Sequence, residues 1–264
     1  MTGCHTPPLM RHTQCMCPDQ RNDDVSTAAR ISALLRAFRP HDDTLGVSEL
    51  ARRTRLPKSS VSRLSNHLVT EELLERHGTG LRLGLKLFEI GQLAIRGRGL
   101  VETARPYLAD LREATRNTVH LAVLEGTEVV YLDVLQGPDA PRLPSRTGGR
   151  FPAHATGVGK AILAFADEQV VDTVLRSDMR RVSSRTITAP GLLHGQLERI
   201  RAAGVAYEHE ESGLGVVCAA SPLVGTDGRA VAALSISGWT NRMRTEQVAP
   251  AVRTAALTLS RTLR

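Results

Sequence analysis

The sequence predicts a two-domain α+β protein: a winged helix-turn-helix, a linker helix, then a sensor-like domain of hairpins and helices on one sheet. Three observations predict it. Residues Val47 to Val69 read as a short helix, a tight turn and a second amphipathic helix. A short Gly-turn hairpin, His77-Gly-Thr-Gly80, follows at once. From Val119 onward, strand patterns alternate with helical ones around Gly-rich turns. At 264 residues the chain is long enough for two packed cores.

Residues 1 to 23 are polar, carry Pro7, Pro8 and Pro18, and show no periodicity, so a disordered tail is expected. Cys4, His5, His12, Cys15 and Cys17 lie in it, but their spacing matches no standard zinc frame. No metal or cofactor is expected. The first domain is placed at 24–84. Its opening helix carries Ala28, Ile31, Leu34, Leu35 and Phe38 at helical spacing and is stopped by Pro40.

In the central motif, Leu50, Ala51, Leu56, Val61, Leu64 and Leu68 form the core-facing side. Pro57 suits a first helical turn, where its missing N–H costs nothing. Lys58, Ser59, Ser60, Ser62 and Arg63 face outward at the N-terminal end of the second helix. Arg52, Arg53, Arg55, Lys58 and Arg63 stand together with no acid among them. Small hydroxyls and cations at that end suit the major groove, where they reach phosphates and base edges. Leu73 to Arg76 and Leu81 to Leu83 make the wing, which sets Arg76 and Arg82 beside the flanking backbone.

A helix is expected over Leu85 to about Arg98, interrupted by Gly97-Arg-Gly99, with 85–99 as linker and 100–264 as second domain. Within the latter, helices are expected over Val101–Asn117, Gly157–Ala166, Asp167–Leu175, Leu192–Ala203 and Val248–Leu263. Strands are expected over Val119–Leu124, Glu128–Val134, Val216–Leu223 and Ala230–Ser237. The last two flank Gly225-Thr-Asp-Gly228, a hairpin turn.

The net charge of +7 and a pI near 9.8 suit a polyanionic partner. Residues 24 to 98 hold 13 Lys/Arg against 8 Asp/Glu, so +5 of the +7 lies in the first domain and the linker. No apolar run approaches the roughly 18–20 residues of a membrane span, and no apolar signal core opens the chain. Four cysteines do not make a disulfide scaffold, which leaves the cytoplasm as the expected compartment.

With these motifs in place, the chain resembles the IclR family of transcriptional regulators from about Thr27 to Leu263. The stretches that carry the resemblance are Leu56-Pro-Lys-Ser-Ser-Val-Ser-Arg-Leu64, Leu81-Arg-Leu-Gly-Leu-Lys-Leu87 and Phe151-Pro-Ala-His-Ala-Thr-Gly-Val-Gly-Lys-Ala-Ile-Leu-Ala164. Arg185-Thr-Ile-Thr188, Glu210-Glu-Ser-Gly-Leu-Gly-Val-Val-Cys-Ala-Ala-Ser-Pro222 and Leu234-Ser-Ile-Ser-Gly238 add to them. The resemblance implies a GAF-like effector-binding domain, a homodimer or homotetramer, and a pseudo-palindromic operator in double-stranded DNA. It also implies a small organic acid or aromatic effector held by Phe151, Gly157, Val158, Glu208, Cys218, Ser235 and Ser237. Two positions depart from the family: Glu72, where Gly is common before the wing, and Trp239, where Pro is usual. Glycine enters the left-handed region cheaply and glutamate does not.

The residues carry chemistry of their own. Gly157 and Gly159 open a helix of small residues, where free N–H groups favour an anion. Ser235 and Ser237 share a strand face by period two. Glu208 needs a proton or a hydroxyl between itself and a carboxylate ligand. Blander roles are open for each: Cys218 as a buried apolar side chain, His154 as a core histidine bonded to a carbonyl, the glycines as packing devices. The function expected is a ligand-responsive DNA-binding repressor of a catabolic or metabolic operon, and not an enzyme. The alternatives are a sensor with weakened DNA binding, given Glu71 and Glu72, and a thiol enzyme using Cys218 with His154 or His209.

Overall fold

A computed structural model describes residues 26–141 and 143–263. The Cys/His-containing stretch at 4–17 lies outside the described residues. The chain divides into two compact units between Leu93 and Ala94.

In the first unit, Ser26 caps α1 (Thr27–Arg36) by accepting the Ala29 N–H at 3.2 Å. α2 (Val47–Thr54) and α3 (Lys58–Thr70) follow, with Arg55 in the left-handed conformation between them. The wing is β1 (Leu74–His77) paired antiparallel with β2 (Gly80–Leu83). Leu45 adds a bridge to Leu81 through two backbone hydrogen bonds of 2.8 and 2.9 Å. Leu34, Leu50, Val61, Leu64, Leu68, Leu74 and Leu81 close into one apolar core. Each such burial stabilises by about 1.5–3 kcal/mol, enough for a domain of this size to hold three short helices in place.

Glu72 adopts φ 60° at the turn before the wing, the conformation for which glycine is the cheap residue. Gly84 faces it: a Cβ there would stand 2.0 Å from the Glu72 carbonyl oxygen. The wing therefore closes on this backbone turn.

α4 (Leu85–Gln92) is shorter than expected, and the break falls at Leu93–Ala94 rather than at Gly97–Gly99. α5 (Ile95–Thr115) runs through both glycines and through Pro106. Two helical glycines cost about 1 kcal/mol each relative to alanine. Burial of Ala104, Leu108 and Leu111 against the sheet outweighs that.

The second unit is a six-stranded antiparallel sheet in the order β5-β4-β3-β8-β7-β6. β3 (Thr118–Glu125) and β4 (Glu128–Leu135) form the first hairpin; β7 (Val216–Val224) and β8 (Ala230–Trp239) form the second. The edges, β5 (Arg150–Pro152) and β6 (Ala206–His209), are too short to show a period and were not expected. One face buries Val119, Leu121, Val217, Ala219, Leu234 and Ile236 under α5 and α9 (Thr245–Thr262). The opposite face, with Ala122, Tyr131, Cys218, Ala220 and Ala233, lies under three helices. These are α6 (Gly157–Leu163), α7 (Glu168–Arg176) and α8 (Pro190–Ala203). Alternation of the two faces along the strands separates the layers, with a register shift in the β3–β4 pairing that changes the phase of β4 between Tyr131 and Asp133. Among the described residues, no helix is long and apolar enough to cross a membrane.

Candidate functional site

Register brings the predicted ligand residues together. Across the sheet, Thr118 pairs with Ser237, Ser237 with Cys218, and Cys218 with Glu208. Two residues along, on the same face, His120 pairs with Ser235 and Ser235 with Ala220. Directly opposed residues of antiparallel strands share a face, so these polar groups form two adjacent rows. α6 lies on them, with all seven of its residues buried. A Cβ at Gly157 would stand 2.7 Å from the Cys218 Sγ, and one at Gly159 would stand 2.1 Å from the Ala153 carbonyl oxygen. Gly157 thus sets how closely the helix approaches the sheet, and Gly159 how tightly it packs on the preceding turn.

Between helix and sheet is a cavity of about 50 Å³. Phe151, Gly157, Val158, Glu208, Cys218, Ser235 and Ser237 all line it. So do residues that sequence reasoning missed, among them His120, Tyr131, Ser145, Ser212 and Gly213. His120 is the most informative of them. Its Nε2 lies 2.8 Å from Ser145 Oγ and its Nδ1 lies 3.2 Å from Ser235 Oγ, so it joins the sheet to the 143–145 wall. Burial holds its pKa down to about 4, leaving a neutral ring at pH 7. A polar residue in the middle of the apolar run Val119–Leu124 was the signal available for it.

Lys160 was missed as well. It is fully buried, and its Nζ donates to Glu211 Oε1 at 2.5 Å, the Tyr207 carbonyl at 3.0 Å and Gln196 Oε1 at 3.2 Å. The clue was a single cation inside an otherwise small and apolar helix. Glu211 is pinned further. Its N–H reaches Glu208 Oε1 at 2.5 Å, and its carbonyl accepts the Thr186 hydroxyl at 2.7 Å. The Ser212 N–H also goes to Glu208 Oε1, at 2.9 Å. The 208–213 segment that closes the cavity is therefore held by Lys160 on one side and by the 183–186 turn on the other.

Burial pushes Glu208 up to about 7, against the partial relief of its two backbone donors and of Lys160. Burial first, then Glu208, raises Cys218 to about 12. Such a thiol is no nucleophile. His154, the base suggested for it, is buried and bonded through Nε2 to the Arg180 carbonyl at 3.1 Å. The Thr156 hydroxyl accepts the Gly159 N–H at 3.1 Å, which takes up one of the helix-start donors expected to face an anion. A larger groove of about 600 Å³ runs beside α7 and α8, but exposed Glu168, His194 and Glu198 line it rather than convergent buried groups.

On the first unit, Lys58, Ser59, Ser62 and Arg63 are exposed along α3, with Ser60 half-buried beside them. Arg52 is exposed and bonds Glu49 at 2.6 Å. In the wing, Arg82 pairs with Glu75 at 2.7 Å and Arg76 donates to Asn66 Oδ1 at 2.7 Å, tying the wing to α3. Arg53 departs from the expected surface set. Its side chain is 14% exposed and is bound by Asp42, by Glu49 at 2.7 Å and by the Ala37 carbonyl at 2.9 Å. The carboxylates that the local sequence lacked come from the preceding loop and from α2, so Arg53 holds α2 to the end of α1 instead of facing a phosphate. Hydrogen bonds from Arg52 and then Arg53 hold Glu49 down to about 2.

Residues 27–78 match the family described as "IclR helix-turn-helix domain", and residues 92–261 match "Bacterial transcriptional regulator IclR C-terminal". The chain belongs to the IclR family. The regulator KdgR of Escherichia coli K12 is 31% identical over 233 residues, covering 87% of this chain and 88% of its own. The E. coli transcriptional repressor IclR is 29% identical over 229 residues, covering 85% and 84%. Among solved structures, an IclR homolog of Microbacterium hydrocarbonoxydans in complex with 4-hydroxybenzoate superposes with a TM-score of 0.82. It is 30% identical and covers 90% of this chain and 99% of its own. This IclR-family chain is a transcriptional regulator with a helix-turn-helix DNA-binding domain and a C-terminal effector domain, and its relatives are regulators rather than enzymes.

Proposed function

We propose that this regulator is a repressor of a catabolic or metabolic operon, released or engaged in the cytoplasm by a small hydroxy- or oxo-acid. The observation that carries the effector class is the convergence of two serines, a thiol, an imidazole and a carboxyl on one buried cavity. At about 50 Å³ it is about a third of the roughly 150 Å³ that accommodates benzene, so an acid of a few heavy atoms fits best. An aromatic acid is the second reading, favoured by the 4-hydroxybenzoate complex of the M. hydrocarbonoxydans homolog. It needs the walls at Leu143–Ser145 and Ser212–Gly213 to move outward.

For DNA, Lys58, Ser59, Ser60, Ser62 and Arg63 enter the major groove, while Arg52, Arg76 and Arg82 exchange their partners for phosphates. A palindromic operator calls for two copies, and α4 offers the surface. Apolar Leu85, Leu87, Phe88 and Ile90 crowd a short helix with no buried residue, whose polar side is the Lys86–Glu89 ion pair. So many apolar side chains on one helix call for a packing partner. Leu85, Phe88, Ile90 and Leu93 are exposed, and the partner that covers them is the same helix of a second copy.

The test uses the chain's only tryptophan, Trp239, whose ring lies 3.6 Å from where a Cβ would stand at Gly215, next to the closing segment. Titration with glyoxylate, pyruvate and 4-hydroxybenzoate should change its fluorescence. Ser235→Ala combined with Ser237→Ala should abolish the response. A double variant that still responds removes those serines from the site.

A further inference from the structure

We propose that the cavity takes up a carboxylate ligand together with one proton, which sits between the ligand and the Glu208 carboxyl. The proposal rests on the cavity being the effector site and concerns how that site tolerates an anion. Its geometry is specific. Ser237, Cys218 and Glu208 stand in one row across β8, β7 and β6. Both backbone donors that reach Glu208, from Glu211 and Ser212, go to Oε1. Oε2 is thus the oxygen suited to carry a proton and donate it.

No Lys or Arg is present among the described residues that line the cavity. The buried cation behind it, Lys160, already spends its donors on Glu211, Gln196 and the Tyr207 carbonyl. A second carboxylate beside an ionised Glu208 would add a like charge in a buried enclosure where no Lys or Arg of the described lining meets it. Two carboxyl groups in such a site share a proton.

The groups that face Glu208 are Cys218 on β7, Tyr131 on β4, Lys160 on α6 and Glu211 after β6. Cys218, held near 12, stays protonated at neutral pH, and burial raises Tyr131 further still. His120 in the opposite wall, held down near 4, stays neutral. Glu208, pushed up to about 7, is the group of the cavity wall that changes charge between about pH 6 and 8.5. Above its pKa each ligand must bring the proton from solvent, so affinity falls about tenfold per pH unit. An ammonium ligand would show the opposite trend.

The experiment titrates the full chain with glyoxylate, pyruvate and 4-hydroxybenzoate near pH 6, 7.5 and 8.5, followed by Trp239 fluorescence. Calorimetry near pH 8.5 in two buffers of different protonation enthalpy counts the proton. The expected result is a Kd about tenfold higher at pH 8.5 than at 7.5, with about one proton taken up per acid bound. Glu208→Gln keeps the acceptor for both backbone donors and supplies a permanent N–H donor, so its Kd should not vary with pH. Binding by the wild type with a flat pH profile and buffer-independent heat overturns the proton uptake alone. So does an unchanged pH slope in Glu208→Gln. A protein that binds none of the three acids overturns the acid reading of the cavity and the proton uptake with it. The wild-type proton count decides the matter should the variant fail to fold.

Discussion

At the scale of single residues, two buried or strained positions carry direct predictions. Removing one partner of a buried ion pair leaves the other uncompensated, at a loss of about 3–5 kcal/mol. Lys160→Met should therefore lower the thermal midpoint by many degrees, and adding Glu211→Leu should restore much of it, as chemical denaturation of the two variants would show. Equal loss in both would mean that packing, not charge, makes Lys160 matter. Glu72 holds a left-handed conformation that suits glycine, so Glu72→Gly should stabilise the first unit by about 1 kcal/mol. Glu49 adds a pH dependence. Its folded pKa, about 2, lies below the ordinary 4.5, so its contribution is present above about pH 4.5 and is lost as pH falls toward 2. Urea midpoints between pH 5 and 2 should fall more steeply for the wild type than for Glu49→Gln. What was legible at this scale was a set of residues that the fold gathers around one cavity, because the family motifs fix strand phase and hence face. His120 and Lys160 were not, because a polar residue within an apolar run gives no hint of its partner until register and helix packing bring one 25 or 51 positions away.

At the scale of elements, α3 and the basic end of α2 divide the work. Arg63→Ala should weaken operator binding by about 1–3 kcal/mol if it reads a base, with the thermal midpoint little changed. Arg53→Ala should do the reverse at first order: it removes the anchor to Asp42 and Glu49, so stability falls before any effect on salt-dependent affinity is seen. Measuring both quantities for both variants separates the roles. The amphipathic pattern of α3 was readable because Val61, Leu64 and Leu68 repeat at helical spacing. The fate of Arg53 was not, because its carboxylate at Asp42 comes from a loop eleven positions away. The same limit applied to α4 and α5, where the glycines at 97 and 99 marked a local break but the helix runs through them and the break falls at Leu93–Ala94.

At the scale of the whole molecule, an effector changes DNA binding only if it favours one arrangement of the protein over another. Under the proposed effector site the cavity wall offers the handle, since Glu208 and Ser212 belong to the segment that Lys160 and Thr186 anchor. Phe88→Glu on α4 should shift the protein toward monomer in sedimentation and weaken operator binding by more than any single phosphate contact. The two-domain architecture and the two hairpins of the second unit were legible from period and turn chemistry. The edge strands β5 and β6 were not, being three and four residues long.

The most direct test is fluorescence anisotropy of the purified protein on the DNA upstream of its own gene, against scrambled DNA, at two salt concentrations and with the three acids. Selective binding that one acid shifts by about tenfold or more, and that Ser235→Ala with Ser237→Ala renders indifferent to that acid, is the predicted result. Equal, salt-labile binding to both DNAs, unmoved by any acid, would contradict it.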